Sequence, residues 1–116
     1  VQLLAVDNDP QALTATADNA GRNSIAPQRL DIALPENVRS RDWQGRADLV
    51  VANILAGPLA DLSGELCSFL ASGGQLVLAG LLDTQADALI EHYAPRIELS
   101  ILQQQAEWVC LAGKLP

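Results

Sequence analysis

The sequence predicts an α/β fold: strands alternate with helices, the sheet is mostly parallel, and the last strand runs antiparallel. Three observations lead there. Short apolar runs recur at Val1 to Val6, Leu49 to Ala52 and Gln75 to Leu82, the lengths of buried strands. The stretches between them carry apolar residues at spacings of three and four, the period of a helix with one buried face. Aromatic residues make up only 3% of the 116 residues, so the core is built from Leu, Val, Ile and Ala, which suits a parallel sheet covered by helices. A chain of this length is one domain at most, and it is long enough to bury a sizeable core.

Val1 to Val6 is apolar apart from Gln2 and ends at Asp7, and it reads as a buried strand. Asp9-Pro10 then opens a helix, with Asp9 as the N-cap and Pro10 in the first turn, where a missing N–H costs nothing. Leu13, Ala17 and Ala20 keep one face of that helix apolar, and Gly21 to Ser24 ends it. Gln28 to Ala33 reads as a short strand. Pro35 to Arg46 reads as a polar loop with a helical turn, Trp43 being its only large apolar group. Leu49 to Ala52 is the next buried strand, and it halts at Asn53. Pro58 is the expected start of a second helix, striped by Leu59, Leu62, Leu66 and Phe69. Ser72-Gly73-Gly74 caps that helix and leads into the strand Gln75 to Leu82. Thr84 to Ala94 reads as a third helix through Ala86, Leu89, Ile90 and Tyr93, stopped by Pro95. Ile97 to Leu102 and Glu107 to Ala112 finish the sheet as two strands antiparallel to each other.

Composition narrows the function classes. Fourteen acidic residues against seven basic ones give a net charge of −7. Repulsion from phosphates argues against nucleic acid as a direct partner, whereas a basic protein is favoured on encounter. No apolar run approaches a bilayer span and no basic-then-apolar leader is present, so a cytoplasmic protein without a membrane partner is expected. Cys67 and Cys110 have neither metal-ligand nor redox spacing and read as two buried thiols in a reducing compartment. His92 is the only histidine, which leaves no basis for a His-based metal site or a Ser-His-Asp triad. No metal is expected.

In an open parallel α/β sheet, ligands gather at the C-terminal ends of the strands. Asn53 stands at such an end with apolar residues on both sides, so its amide is a candidate active-site group. The plainer alternative is a turn asparagine that bonds its own backbone. Asp7 ends the first apolar run. An acid at the end of the second strand of a nucleotide-binding unit accepts hydrogen bonds from ribose hydroxyls, and a residue of the turn before the helix is the alternative. Asp31 is either an adenine contact or a plain loop carboxylate, and Asp48 simply begins its strand. Gly73-Gly74 follows a helix and precedes a strand, the reverse of a phosphate-binding turn.

Three segments together carry a family likeness. Ala5-Val6-Asp7-Asn8-Asp9-Pro10-Gln11-Ala12-Leu13, then Asp18-Asn19-Ala20 with Asn23, and Ala47-Asp48-Leu49-Val50-Val51-Ala52-Asn53-Ile54-Leu55-Ala56-Gly57-Pro58-Leu59 resemble the ribosomal protein L11 methyltransferase family. Ser72-Gly73-Gly74-Gln75-Leu76 and Glu107-Trp108-Val109-Cys110-Leu111 are similar to it as well. The likeness runs in matching order through nearly the whole chain, and the segment from Asn53 to Pro58 is its most specific part. Ser24 to Arg46 departs from the pattern by being a few residues longer.

The resemblance implies a Rossmann-like class I methyltransferase that uses S-adenosylmethionine. Its substrate would be amino groups, on a lysine side chain or the N-terminus, of a large-subunit ribosomal protein. It further implies that residues 1–116 are the C-terminal portion of one methyltransferase domain, lacking its first strand and Gly-rich turn, with a substrate-recognition domain further upstream. Asp7 and Asn53 are the expected cofactor-binding residues, Asp7 holding the ribose. Asn53 is the expected catalytic residue, and Asn53 and Ile54 the substrate-binding ones, their carbonyl oxygens accepting N–H bonds from the amine. Deprotonating a lysine of pKa about 10.4 costs about 4.6 kcal/mol at pH 7, so the site must favour the neutral amine. Asn53 would act there by orientation and not as a strong base.

A missing central strand that buries about five aliphatic side chains is worth roughly 7–15 kcal/mol, as much as the whole stability of a domain. The chain alone is therefore expected to be poorly stable as a monomer, or to self-associate, and to be inactive. Three rival readings remain. An amide methyltransferase would carry Asn-Pro-Pro-Tyr where this chain has Asn53-Ile54-Leu55-Ala56. A nicotinamide-dependent oxidoreductase also has an acid after its second strand. A non-catalytic interaction module would tolerate loss of Asn53.

Overall fold

A computed structural model of the chain describes residues 2–116, so Val1 of the expected first strand lies outside the described residues. Strand β1 (Leu3–Val6) pairs in parallel with β2 (Leu30–Ala33), and helix α1 (Pro10–Arg22) connects them. These elements belong to a unit spanning Val1–Trp43. The start of α1 follows from its sequence: the Asp9 carboxylate accepts the Gln11 N–H at 2.9 Å, and Pro10 occupies the first turn. Asn23 closes the helix by donating its N–H to the Asn19 carbonyl, and Ser24 turns the chain at φ 57°.

Two expectations for this unit change. Ala17 is exposed, and the half-buried face instead runs through Leu13, Thr16 and Ala20, with the Thr16 hydroxyl folded back onto the Ala12 carbonyl. Pro27–Arg29 forms a 3₁₀ turn, so β2 begins only at Leu30. The segment read as a loop holds two further 3₁₀ turns, Pro35–Asn37 and Arg39–Arg41, and Val38 between them is buried.

The second unit, Gln44–Pro116, holds a four-stranded sheet in the order β3-β4-β6-β5. Strand β3 (Ala47–Asn53) runs parallel to β4 (Leu70–Leu82), and β6 (Trp108–Lys114) lies antiparallel to both β4 and β5 (Ser100–Gln105). The expected α/β class with parallel pairs and an antiparallel last strand is what the chain adopts, although its strands form two sheets. Helices α2 (Ala56–Asp61), α3 (Ser63–Ser68) and α4 (Asp83–Tyr93) complete the unit. Its core is aliphatic, centred on Leu59, Leu76, Leu78, Leu81 and Leu111 with Tyr93. The Tyr93 hydroxyl donates to the Leu59 carbonyl and ties α4 to α2. Burial, helped by the Cys67 thiol and opposed by the Arg96 guanidinium, pushes the Tyr93 phenol up to about 12. Burial also raises the Cys67 thiol, again against Arg96.

Four expectations are corrected here. The strand read as buried over Leu49 to Ala52 is an edge strand: Val50 and Ala52 pack against the core, while Leu49 and Val51 on the other face are 56% and 61% exposed. The second helix breaks at Leu62 into α2 and α3 and starts two residues before Pro58. Its buried face is Leu59, Ser63 and Cys67, which leaves Leu62 and Leu66 half-buried. Gly73-Gly74 lies inside β4, not at a helix end, where the β3–β4 register shifts. A Cβ on Gly74 would sit 2.8 Å from the Ala47 and Ala71 carbonyl oxygens, so the close backbone approach requires glycine. Finally, Ile97 and Leu99 are buried ahead of β5, which begins at Ser100.

Candidate active site

Asn53 is the last residue of β3 and faces Ala79 of β4 in the parallel register. One step further, β4 bulges. Leu78 pairs with Leu111 and Leu81 with Val109, so the Ala79-Gly80 stretch carries one residue more than its partner strand. Gly80 adopts φ 83°, and a Cβ there would lie 2.7 Å from Asn53 Oδ1 and 2.9 Å from the Ile54 carbonyl oxygen. The glycine lets the end of β3 close down against the bulge, with the Asn53 side-chain oxygen and the Ile54 carbonyl converging on it. A lone Gly80 within the Leu-rich run 75–82 was the signal for this approach.

These residues form one wall of an open cleft of about 700 Å³. Ala79, Val109 and Cys110 line it as well, with Gln103, Gln105 and Trp108 of the β5–β6 hairpin. Asn53 and Ile54 are both exposed, Ile54 at 38%, as a ligand contact requires. Among the described residues the only titratable side chain in the lining is the Cys110 thiol, which is half-buried and not buried as expected. Polar character comes otherwise from neutral amides and backbone carbonyls. Such a site can accept hydrogen bonds from a neutral N–H donor and orient it, and among its described residues there is no carboxylate or imidazole to take the proton.

Asp7 belongs to the first unit and Asn53 and Ile54 to the second, and each is placed within its own unit. Asp7 follows β1 directly and is exposed. Its Oδ1 accepts the Asp9 N–H at 2.9 Å, while its own N–H donates to the Ala33 carbonyl at 3.4 Å. It therefore shapes the turn before α1 and still presents its second carboxylate oxygen, a donor-seeking group of the kind a ribose diol satisfies. Asp31 is neither a loop residue nor at a strand end: it lies within β2, ion-paired to Arg41 at 2.8 Å. Asp48 is an exposed residue at the start of β3, as read from the sequence. His92 sits on α4 and donates from Nε2 to the Ala60 carbonyl at 2.9 Å, away from any grouping of ligating side chains. Among the described residues no three His, Cys, Asp or Glu side chains are grouped to hold a metal ion, and no helix is long and apolar enough to cross a membrane.

Sequence reasoning missed Gln103, Gln105, Trp108, Cys110 and Gly80 as cleft residues. Only Gly80 carried a local signal; the others reach the cleft through strand order and register.

Comparison with known proteins adds an independent line. The family described as "Ribosomal protein L11 methyltransferase (PrmA)" matches residues 1–116. Over 114 residues the chain is 43% identical to a ribosomal protein L11 methyltransferase of Aliivibrio fischeri strain MJ11, covering 97% of this chain and 37% of that protein. A ribosomal protein L11 methyltransferase of Saccharophagus degradans is 41% identical over 110 residues, covering 95% of this chain and 36% of its own length. The chain thus spans little more than a third of these relatives. Among solved structures, a ribosomal protein L11 methylase from Lactobacillus delbrueckii subsp. bulgaricus superposes with a TM-score of 0.80 at 32% identity, covering 98% of this chain and 58% of that one.

Proposed function

The chain belongs to the ribosomal protein L11 methyltransferase family, and from that premise we propose that it is the C-terminal portion of a domain that methylates amino groups of a large-subunit ribosomal protein. The acceptor is a lysine side chain, an N-terminal amine, or both. S-adenosylmethionine, when bound, supplies the electrophilic methyl on its sulfonium. Asp7 would hold the ribose through the carboxylate oxygen its turn does not use, and Asn53 would border both cofactor and acceptor.

The observation that carries this reading is the Asn53–Gly80 approach: an amide oxygen and the Ile54 carbonyl converge on Gly80 in the lining of a cleft whose other described polar groups are uncharged. An amine attacks only as the free base, and its two N–H bonds then need acceptors that do not add charge. Asn53 Oδ1 and the Ile54 carbonyl offer them, fixing the direction of the lone pair. Ammonium gains less there than it would beside a carboxylate, so these acceptors oppose deprotonation less than a charged one would. The net charge of −7 favours encounter with a basic ribosomal protein over contact with RNA. The protein acts in the cytoplasm, and the 116-residue chain by itself is inactive.

Calorimetric titration of the chain with S-adenosylmethionine, beside Asp7→Ala, tests the cofactor half. Saturable binding weakened by the substitution is the expected result. Equal affinity in the two proteins would remove Asp7 from the site.

A further inference from the structure

Beyond the acceptor position, a second bulge re-aims the edge strand of the sheet. In β5, Ile101 pairs with Leu111 and Gln103 with Cys110, so Leu102 is an extra residue against β6. In a regular strand Gln103 would share a face with Ile101. The bulge transfers Gln103 and Gln105 to the face of Cys110 and Trp108, their cross-strand partners, and all four line the cleft. Gln104, on the opposite face, is used internally, bonding the Ala106 carbonyl at 3.1 Å and reaching Asp83 at 3.5 Å. The amides of Gln103 and Gln105 have no hydrogen-bond partner among the described residues.

We propose that Gln103 and Gln105, flanked by Trp108, form the subsite that grips the extended backbone of the substrate protein beside the amine to be methylated. The proposal rests on the reading of Asn53 as the acceptor position. Two residues apart on a strand, the carboxamides repeat at about 6.8 Å, the repeat of the outward N–H and C=O groups along one edge of an extended peptide. Each offers a donor and an acceptor, so each satisfies one such pair whatever the substrate's side chains. From β3 to β5 the sheet crosses three interstrand steps, about 14 Å, which a chain covers in about four residues before it turns to run along β5. The gripped segment thus lies about four residues from an N-terminal amine seated at Asn53. Glu107 in the hairpin turn and Asp83, whose N–H bonds the Glu107 carbonyl, place two exposed acids at the outer end, favouring a basic segment.

The test is an NMR titration of the full-length methyltransferase that carries this chain with the N-terminal decapeptide of ribosomal protein L11, once with a free α-amine and once acetylated. The expected result is saturable shifts of the Gln103 and Gln105 side-chain amides and the Trp108 indole with both peptides, and of Asn53 with the free amine only. Gln103→Ala/Gln105→Ala, on an exposed edge strand, should weaken binding about tenfold. Absence of binding, shifts that bypass both glutamines, or unchanged affinity in the double variant each overturns the proposal. Glutamine shifts that leave Asn53 unmoved with either peptide retain the subsite and overturn the acceptor reading instead.

Discussion

Asn53 is set by a residue it does not touch in sequence. With a Gly80 Cβ placed 2.7 Å from Asn53 Oδ1, Gly80→Ala must displace the amide or the bulge, besides straining a backbone at φ 83°. A destabilisation of about 1–3 kcal/mol is expected in urea unfolding. The part due to the amide should shrink when Asn53→Gly is added, which a double-mutant cycle reads. Tyr93 carries a pH signature. Its phenol titrates near 10 when unfolded and is pushed up to about 12 when folded, so the buried neutral form adds stability that is complete below pH 10. That stability drains away as pH rises through 12. Urea midpoints should therefore fall between pH 10 and 12, and Tyr93→Phe should flatten the fall while costing about 1 kcal/mol at neutral pH through the lost bond to Leu59. Cys67, raised in the same direction, leaves a residual slope. At this scale the sequence spoke clearly for Asp9, whose cap role follows from position and side-chain chemistry, and for the position of Asn53 at the end of its strand. Asp7 was half legible: its turn bond to Asp9 is local, whereas what its second oxygen meets is not.

Elements were legible wherever local chemistry sets their ends. Asp9-Pro10 starts α1 as read, and Asp9→Ala should cost about 1 kcal/mol, seen as reduced helicity by circular dichroism. Pro95 falls just beyond α4 as expected. Elements whose ends depend on neighbours were misread. The stripe Leu59, Leu62, Leu66, Phe69 fits an unbroken helix, yet the chain breaks at Leu62 and buries Ser63 and Cys67 in that register. An apolar stripe identifies a helical face, and the packing partner decides which of two adjacent faces is buried. Likewise Leu49 to Ala52 is apolar enough for a central strand, but in the four-stranded sheet it stands at the edge.

For the whole molecule, that edge has a consequence. Leu49 and Val51 expose apolar surface along the edge strand of the four-stranded sheet, the feature that invites edge-to-edge association. The chain is expected to sediment above monomer mass at micromolar concentration, and Leu49→Lys/Val51→Lys should return it to monomer with little loss of stability. A wild-type chain that sediments as a monomer would contradict this. By itself the sequence determined the α/β class, the order of the elements, the cap of α1 and the presence of an amide at the end of β3. Those properties are written in periodicity and capping, which act over a few neighbouring residues. Only the tertiary structure decided the placement of β6 between β4 and β5, and the two bulges beside it. With them came the gathering of Gln103, Gln105 and Trp108 into the cleft with Asn53. Register is chosen by hydrogen bonds and packing between strands distant in the chain, and one extra residue in a strand turns every following side chain to the other face.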